Sequence, residues 1–365
     1  MPREGIERII LKARGASRQL SKRVVNGWEI GESDTFTQRL FLASPGGSYL
    51  AWADPTSNAI KVRDRRGRVR SIAGASGYDV RFSADDRYLA SLRAVAGTGG
   101  TQTEVIVLDL TTGKERVIGE AGLAQWLEWG KDGVVVSHDQ GDQRFITYLP
   151  LEGKPVQVAT GSKSDLETRF TTAKRGSRAM YFFQKRAFVV DVQAAEADAR
   201  EVGTLAGSVN NAEMAPDGSE AAMVVGGGVF RWKDGGELTQ VGTDAAHTVW
   251  YSADGEMLAW ASLDKAVVLA GGEQHELTTA EYDLNAMRFH GDQLIVSMGG
   301  RALLWNPGTG AKKVLGQSGK GQTVQAADIY QGGVVLWTRE IRRSDRTDRR
   351  RAAKNAAIEP FALAD

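Results

Sequence analysis

A strand–turn–strand unit returning about every 40 residues, 43 glycines against only 8 prolines in 365 residues, and no long helical periodicity predict an all-β chain. Together they point to a single β-propeller of four-stranded blades, the architecture that a strand-patterned repeat of this length builds. The unit is clearest in FSADDRYLAS (82–91), LASPGGSYLAW (42–52), MAPDGSEAAMV (214–224) and YSADGEMLAW (251–260). Weaker copies are EWGKDGVVVSH (128–138), TAKRGSRAMYFF (172–183), FHGDQLIVS (289–297) and IYQGGVVLWT (329–338).

The turn residues anchor the repeat at Gly47, Asp86, Gly133, Gly176, Gly218, Gly255, Asp292 and Gly333, with intervals of 37 to 47 residues. A third and a fourth strand follow each anchored pair. In the second unit they are TEVIVLDL (103–110) and ERVIGE (115–120), joined by TTGK. In the fourth they are RAFVVDV (186–192) and AREVGT (199–204), and in the seventh ALLWNPGTG (302–310) and KKVLGQ (312–317). β-Branched and aromatic residues alternate with polar ones, and Gly, Asp or Pro punctuates the runs. Eight anchors predict eight blades, with seven as the alternative because the last copies are weakest.

The eighth anchor supplies only two strands, an Arg-rich loop and IEPFALAD as a third. An open sheet edge invites aggregation. IERIILK (6–12) or KRVVNGWEI (22–30) is therefore expected to complete the C-terminal blade and close the ring. On this reading residues 1–365 are one domain: 1–38 the closing strand and lead-in, 39–338 the repeated blades, 339–365 the Arg-rich loop and last strand.

The copies FSADDRYLAS, MAPDGSEAAMV and YSADGEMLAW resemble the PD40 (WD40-like) repeats of TolB-type propellers, over about residues 40–338. The resemblance implies the propeller fold and a binding platform, a role that family often fills in the bacterial envelope. LDLTTGKERV (108–117) is also similar, once, to a quinoprotein propeller repeat, but lacks its closing Trp.

Several repeated residues read as structural. Trp52, Trp260 and Trp337 share a register with Tyr181 and Met223, where a large side chain packs between neighbouring sheets. Asp64, Asp109 and Asp191 end third strands, where a carboxylate accepts local backbone N–H bonds. His138 shares the Trp52 register and reads as a packed strand residue.

The first strand of each blade carries an apolar–X–apolar pattern: Val80-Arg81-Phe82, Leu127-Glu128-Trp129, Ala212-Glu213-Met214, Met287-Arg288-Phe289 and Ala327-Asp328-Ile329. Strand alternation puts the middle residue on the opposite face from its neighbours. Arg81, Glu128, Glu213, Arg288 and Asp328 are therefore expected to line the central channel, either compensating one another or holding a polar ligand. A hard cation wants roughly six or more oxygens; three carboxylates beside two arginines are a poor start, so no metal site is assigned.

No catalytic constellation emerges. The absence of cysteine removes disulfides, thiolate metal sites and a thiol nucleophile. The four histidines, 138, 247, 275 and 290, lack metal-ligand spacing, and no G-x-S-x-G elbow nominates a serine. GQSGKG (316–321) has Val314 where a phosphate loop needs its first glycine and Gly321 where it needs Ser or Thr. No cofactor is expected.

Charge is the uneven feature. Residues 1–70 carry 14 Lys and Arg against 7 Asp and Glu, and residues 339–365 carry 8 against 5, while the whole chain is only +1. The positive charge gathers in Arg63, Arg65, Arg66 and Arg68 and in Arg342, Arg343, Arg346, Arg349, Arg350 and Arg351. A closed ring would make these one basic sector, suited to an acidic protein partner. Phospholipid headgroups are another candidate; nucleic acid is disfavoured, since few aromatics interleave with the arginines.

The expected function is a non-catalytic scaffold for protein–protein interaction, with an enzyme or small-molecule binder at the central channel as the alternative. No window of about 18 apolar residues is present, so no spanning helix is expected. The N-terminus lacks the roughly 7–15-residue apolar core of a signal peptide. A cytoplasmic location is expected, or a periplasmic one after removal of a leader.

Overall fold

The computed structural model describes residues 9–13, 29–32, 41–54, 59–97, 100–194, 199–243, 245–262, 264–278, 284–298, 300–317, 322–330 and 333–340. Near the N-terminus lie β1 (Ile9–Ala13) and β2 (Glu29–Glu32). The first blade is β3 (Phe41–Ala43), β4 (Leu50–Asp54), β5 (Ala59–Arg63) and β6 (Val69–Ala73). Next come β7 (Ala75–Phe82), β8 (Tyr88–Gly97), β9 (Gly100–Asp109) and β10 (Glu115–Ala121). The third blade is β11 (Leu123–Trp129), β12 (Gly133–Gln140), β13 (Gln143–Pro150) and β14 (Val156–Ser162). The fourth is β15 (Leu166–Thr172), β16 (Arg178–Phe183), β17 (Arg186–Asp191) and β18 (Arg200–Thr204). The fifth holds β19 (Val209–Met214), β20 (Glu220–Val225), β21 (Gly228–Lys233) and β22 (Thr239–Gly242). In the sixth are β23 (Thr248–Tyr251), β24 (Met257–Ala261), β25 (Lys265–Ala270) and β26 (Glu273–Thr278). The seventh comprises β27 (Leu284–His290), β28 (Gln293–Met298), β29 (Arg301–Trp305) and β30 (Lys312–Gln317), and β31 (Gln322–Tyr330) and β32 (Gly333–Glu340) end the described chain.

The architecture is an all-β single propeller with four-stranded blades. Among the described residues, seven sheets each consist of four consecutive strands in spatial order. The expectation of eight such blades is corrected to seven. The remaining sheet, ordered β2-β1-β32-β31, is assembled differently. Its β31–β32 hairpin is antiparallel, but β1 runs parallel to β32, from Ile9↔Val335 to Ala13↔Arg339, and β2 runs parallel to β1. The proposed third strand IEPFALAD lies outside the described residues.

The chain forms two compact units, residues 1–36 with 256–365, and residues 37–255. Within the second unit the core sits between successive sheets, as face-to-face packing of two-sided strands requires. Ile60, Val62 and Ile72 of the first blade meet Val80, Leu89 and Ile106 of the second. Leu92 and Val107 meet Leu127 and Val136. Ile146 and Val158 meet Phe170 and Val190, and Met180 and Phe182 meet Met214, Met223 and Trp232. In the shared large-residue register Trp52, Met223 and Trp260 are buried as expected, whereas Tyr181 is only half-buried. Each such buried side chain contributes about 1.5–3 kcal/mol by leaving water. His138 is also buried. Its Nδ1 accepts the Gly122 N–H at 3.2 Å, which leaves Nε2 protonated to donate to Thr147 Oγ1 at 3.1 Å.

The third-strand aspartates form turns as predicted. Asp64 Oδ1 accepts the N–H groups of Arg66 and Arg68 at 2.8 and 3.0 Å; Asp109 does the same for Thr111 and Thr112, and Asp191 for Gln193. The repeat anchors are less uniform than expected. Gly47, Gly218 and Gly255 have φ of 64°, 83° and 88°, and Asp86 shares that left-handed conformation at 60°. Gly133 instead opens β12. Gly176 is required by proximity, because a Cβ there would lie 2.5 Å from the Asp217 carbonyl oxygen of the next blade.

Asp86 does more than turn the chain. Its Oδ2 accepts from Ser44 Oγ at 2.8 Å and its Oδ1 from the Gly46 N–H at 2.9 Å. The carboxylate thus ties the second blade's turn to the first blade's turn.

Candidate functional site

The apolar–X–apolar pattern of the first strands is realised as alternation in β7 and β11 and only in part elsewhere, since Ala212, Phe289 and Ile329 are half-buried. Val80, Phe82, Leu127, Trp129, Met214, Met287 and Ala327 are buried, while Arg81, Glu128, Glu213 and Arg288 keep partial exposure. Asp328 is itself buried, at 6% exposure.

In the 37–255 unit, Arg81 of β7 donates to Glu128 of β11 at 3.3 Å. Glu213 of β19 meets Lys174, whose Nζ lies 2.6 Å from its Oε1. In the other unit, Arg288 of β27 donates to Asp328 of β31. All five charged residues singled out in the sequence are therefore in oppositely charged pairs; adjacent first strands supply the partners of Arg81–Glu128 and Arg288–Asp328, while the partner of Glu213 comes from the β15–β16 turn.

Lys174 was not anticipated. It occupies a turn register that elsewhere holds Pro45, Ala84, Pro216 and Ala253 but also Lys131, so the sequence alone does not single it out. Its side chain keeps 39% exposure, against 13% for Glu213. Burial pulls the Lys174 ammonium down, but the attraction and hydrogen bond of Glu213 outweigh it, and the net direction is up. Burial pushes the Glu213 carboxyl up, Lys174 offsets this only partly, and Glu128 adds to the rise. Arg81 and Glu128 act on both groups, so the four charges behave as one neutral quartet.

Trp126, two residues before Glu128, carries guanidinium groups at ring distance: Arg169 at 3.8 Å and Arg81 at 5.0 Å from the ring centroid. Such contacts contribute about 0.5–2 kcal/mol each and hold the arginines in place. Glu167 on β15 accepts the Val209 N–H at 3.0 Å, and Asn211 on β19 accepts the Val249 N–H at 3.0 Å. These side chains stitch one first strand to the next. Burial raises the Glu167 carboxyl above its ordinary value. Among the described residues no group of three or more His, Asp or Glu converges as a metal site.

The basic stretch of the first blade divides. Arg63 is buried at 7% exposure, whereas Arg65, Arg66 and Arg68 stand exposed on the β5–β6 turn. Arg68 Nε pairs with Asp64 at 2.7 Å. Burial pushes Asp64 up, but the Arg68 side chain and the backbone N–H groups of Arg68 and Arg66 pull it further down, leaving the carboxyl below its usual value. Val69, next in line, is 50% exposed. Arg342, Arg343, Arg346, Arg349, Arg350 and Arg351 lie outside the described residues. Among the described residues no helix is long and apolar enough to cross a membrane.

No protein-family model matches the chain, and no curated protein does. Several solved structures are similar to the chain at low identity. Virginiamycin B lyase from Staphylococcus aureus is similar over 71% of this chain and 90% of its own, at 12% identity and a TM-score of 0.49. Hsv2 from Kluyveromyces lactis is similar over 82% of this chain and 96% of its own, at 11% identity and a TM-score of 0.49. A eukaryotic initiation factor matches 75% of this chain and 86% of its own, at 12% identity and the same score. At these scores and identities the likeness says nothing about function.

Proposed function

We propose that this chain is a non-catalytic β-propeller scaffold that docks an acidic protein surface through the outer edge of its first blade. The observation that carries the reading is the β5–β6 turn: three exposed arginines, 65, 66 and 68, beside the half-exposed Val69. Exposed like charges on a hairpin steer an acidic partner without having to be fully desolvated. The C-terminal arginines, 342 to 351, belong to the same proposal on charge alone, as does closure of the ring by β1. The PD40 resemblance supports a bacterial binding platform, and the mutual pairing of Arg81, Glu128, Lys174 and Glu213 favours charge compensation over ligand capture at the first strands. A cytoplasmic location goes with this reading.

Binding of the full chain to polyglutamate across a salt series tests it. The dissociation constant is expected to weaken steeply as salt rises, because interactions between exposed charges are screened within about 8–10 Å at near-physiological salt. Binding indifferent to salt, or equal binding to duplex DNA, contradicts it.

A further inference from the structure

The exposed cations of the first blade continue onto the next two in the same structural register. The turn Asp64–Arg68 closes with Asp64 N–H on the Arg68 carbonyl, and the turn Asp109–Lys114 closes with Asp109 N–H on the Lys114 carbonyl. Arg68 therefore matches Lys114, and Arg70 matches Arg116. The third blade has Lys154 exposed on its own β13–β14 turn. Among the described residues, Arg65, Arg66, Lys114, Arg116 and Lys154 make no ion pair, whereas the nearby acid Glu115 is held by Arg93 at 2.8 Å.

These turns are physically continuous. Arg70 Nη1 donates to the Leu110 carbonyl at 2.6 Å, and the guanidinium lies against Gly113, where a Cβ would come within 3.0 Å of it. On the next step, the Leu149 side chain fills the space beside Gly119 so closely that a Cβ there would meet it at 2.9 Å. The contact of Arg70 with Gly113 and Leu110 thus brings the cations of the first blade beside those of the second.

The path ends on a groove of about 470 Å³. Arg116 and Lys154 stand at it, with Tyr88, Pro150, Leu151 and Val156 as its apolar surface. Asp132 and Glu152 also face it. Asp132 accepts from Gln193 Nε2 at 3.3 Å. Two carboxylates at the groove disfavour an acidic occupant there, while the cations before it favour one.

The geometry points to an extended acidic segment of the partner protein, running from Arg65 and Arg66 past Lys114 and Arg116 and ending in an apolar side chain seated in the groove. This rests on the proposed docking role and specifies its ligand. The charge falls from positive to balanced along the path, so the acids lie over the first two blades and the neutral anchor over the third. The groove is open and of mixed charge, which suits one anchoring side chain of a longer segment better than an enclosed small molecule.

Two fluorescein-labelled peptides test the inference by anisotropy: eight glutamates followed by Leu-Leu, and eight glutamates followed by Ala-Ala, with the order reversed in a second pair. One Leu-bearing peptide is expected to bind about tenfold tighter than its Ala counterpart. Val156→Ser, which removes apolar surface without adding charge, is expected to erase that advantage while leaving the Ala peptide's binding in place; if it does not fold, Leu151→Ser serves the same purpose. Equal binding of Leu and Ala peptides, or a Leu advantage that survives the groove variants, overturns the inference while the docking role stands. If Arg65→Glu/Arg66→Glu/Arg68→Glu leaves binding of all peptides unchanged, both fall.

Discussion

Substitution of Asp86 separates two contributions that one residue makes to the joining of blades. Its backbone is held at φ 60°, and its carboxylate accepts from Ser44 Oγ and Gly46 N–H at 2.8 and 2.9 Å. Glycine at this position relieves the left-handed backbone by about 1–2 kcal/mol but loses both bonds. A hydrogen bond to a charged group contributes about 1.5–3 kcal/mol, and the lower end applies here because the Gly46 contact is exposed. Asp86→Gly should therefore lose about 1–2 kcal/mol. Asp86→Ala loses the bonds and keeps the backbone penalty, for about 3 kcal/mol. Asparagine tolerates the left-handed region but offers one acceptor where the carboxylate offers two, so Asp86→Asn should lose about 1.5 kcal/mol, less than Asp86→Ala. Urea denaturation of the three variants, with Ser44→Ala in a double-mutant cycle, reads the order directly. Asp86→Gly more stable than the parent, together with a coupling energy of zero to Ser44, would refute the staple.

Lys174→Met leaves Glu213 buried beside Glu128 without its cation. The cost at pH 7 should be about 1–3 kcal/mol, less than for a sealed pair because Lys174 keeps 39% exposure. Burial already places the Glu213 carboxyl above its usual value, and losing Lys174 raises it further, so the folded variant holds its proton longer than the unfolded chain. Its deficit should grow as pH climbs past the ordinary carboxyl range and shrink towards pH 4; a deficit flat in pH contradicts the pairing. His138 has the opposite sign. Burial lowers its imidazole below the ordinary 6.5, so the unfolded chain protonates first and stability is lost as pH falls through about 6.5. His138→Gln should make that loss shallower between pH 5 and 7, with His247, also lowered by burial, carrying the remainder; an unchanged slope in thermal melts contradicts it.

The blades were legible in the sequence because their determinants are local: alternation within a strand, a turn residue between strands, and a carboxylate that binds backbone two positions on. Asp64, Asp109 and Asp191 act where they stand, and Arg81, Glu128 and Glu213 fall on the face that alternation assigns. What escaped the reading depends on neighbours distant in sequence. Lys174 occupies a turn position and gains its role only because β19 brings Glu213 within 2.6 Å. The Asp86 carboxylate reads as a turn former until the first blade's Ser44 is beside it. The blade count failed at the chain ends, where strand content is visible but direction is not: nothing in IILKA says it will run parallel to β32. Arg63 has the composition of its exposed neighbours and is nonetheless buried, because it is the last residue of β5 while they stand on the turn that follows.

The claim that acidic ligands dock on the first blade, rather than on any basic patch, is tested most directly by matched charge reversal. Arg65→Glu/Arg66→Glu/Arg68→Glu on the first blade is compared with Arg301→Glu/Lys312→Glu/Lys313→Glu on the exposed outer strands of the seventh, each reversing three cations. Titrated with polyglutamate at one fixed salt concentration, the first-blade variant should bind at least about tenfold more weakly than the parent, and the seventh-blade variant within about twofold of it. Equal losses in the two variants would show that net charge alone governs binding and that the first blade holds no site.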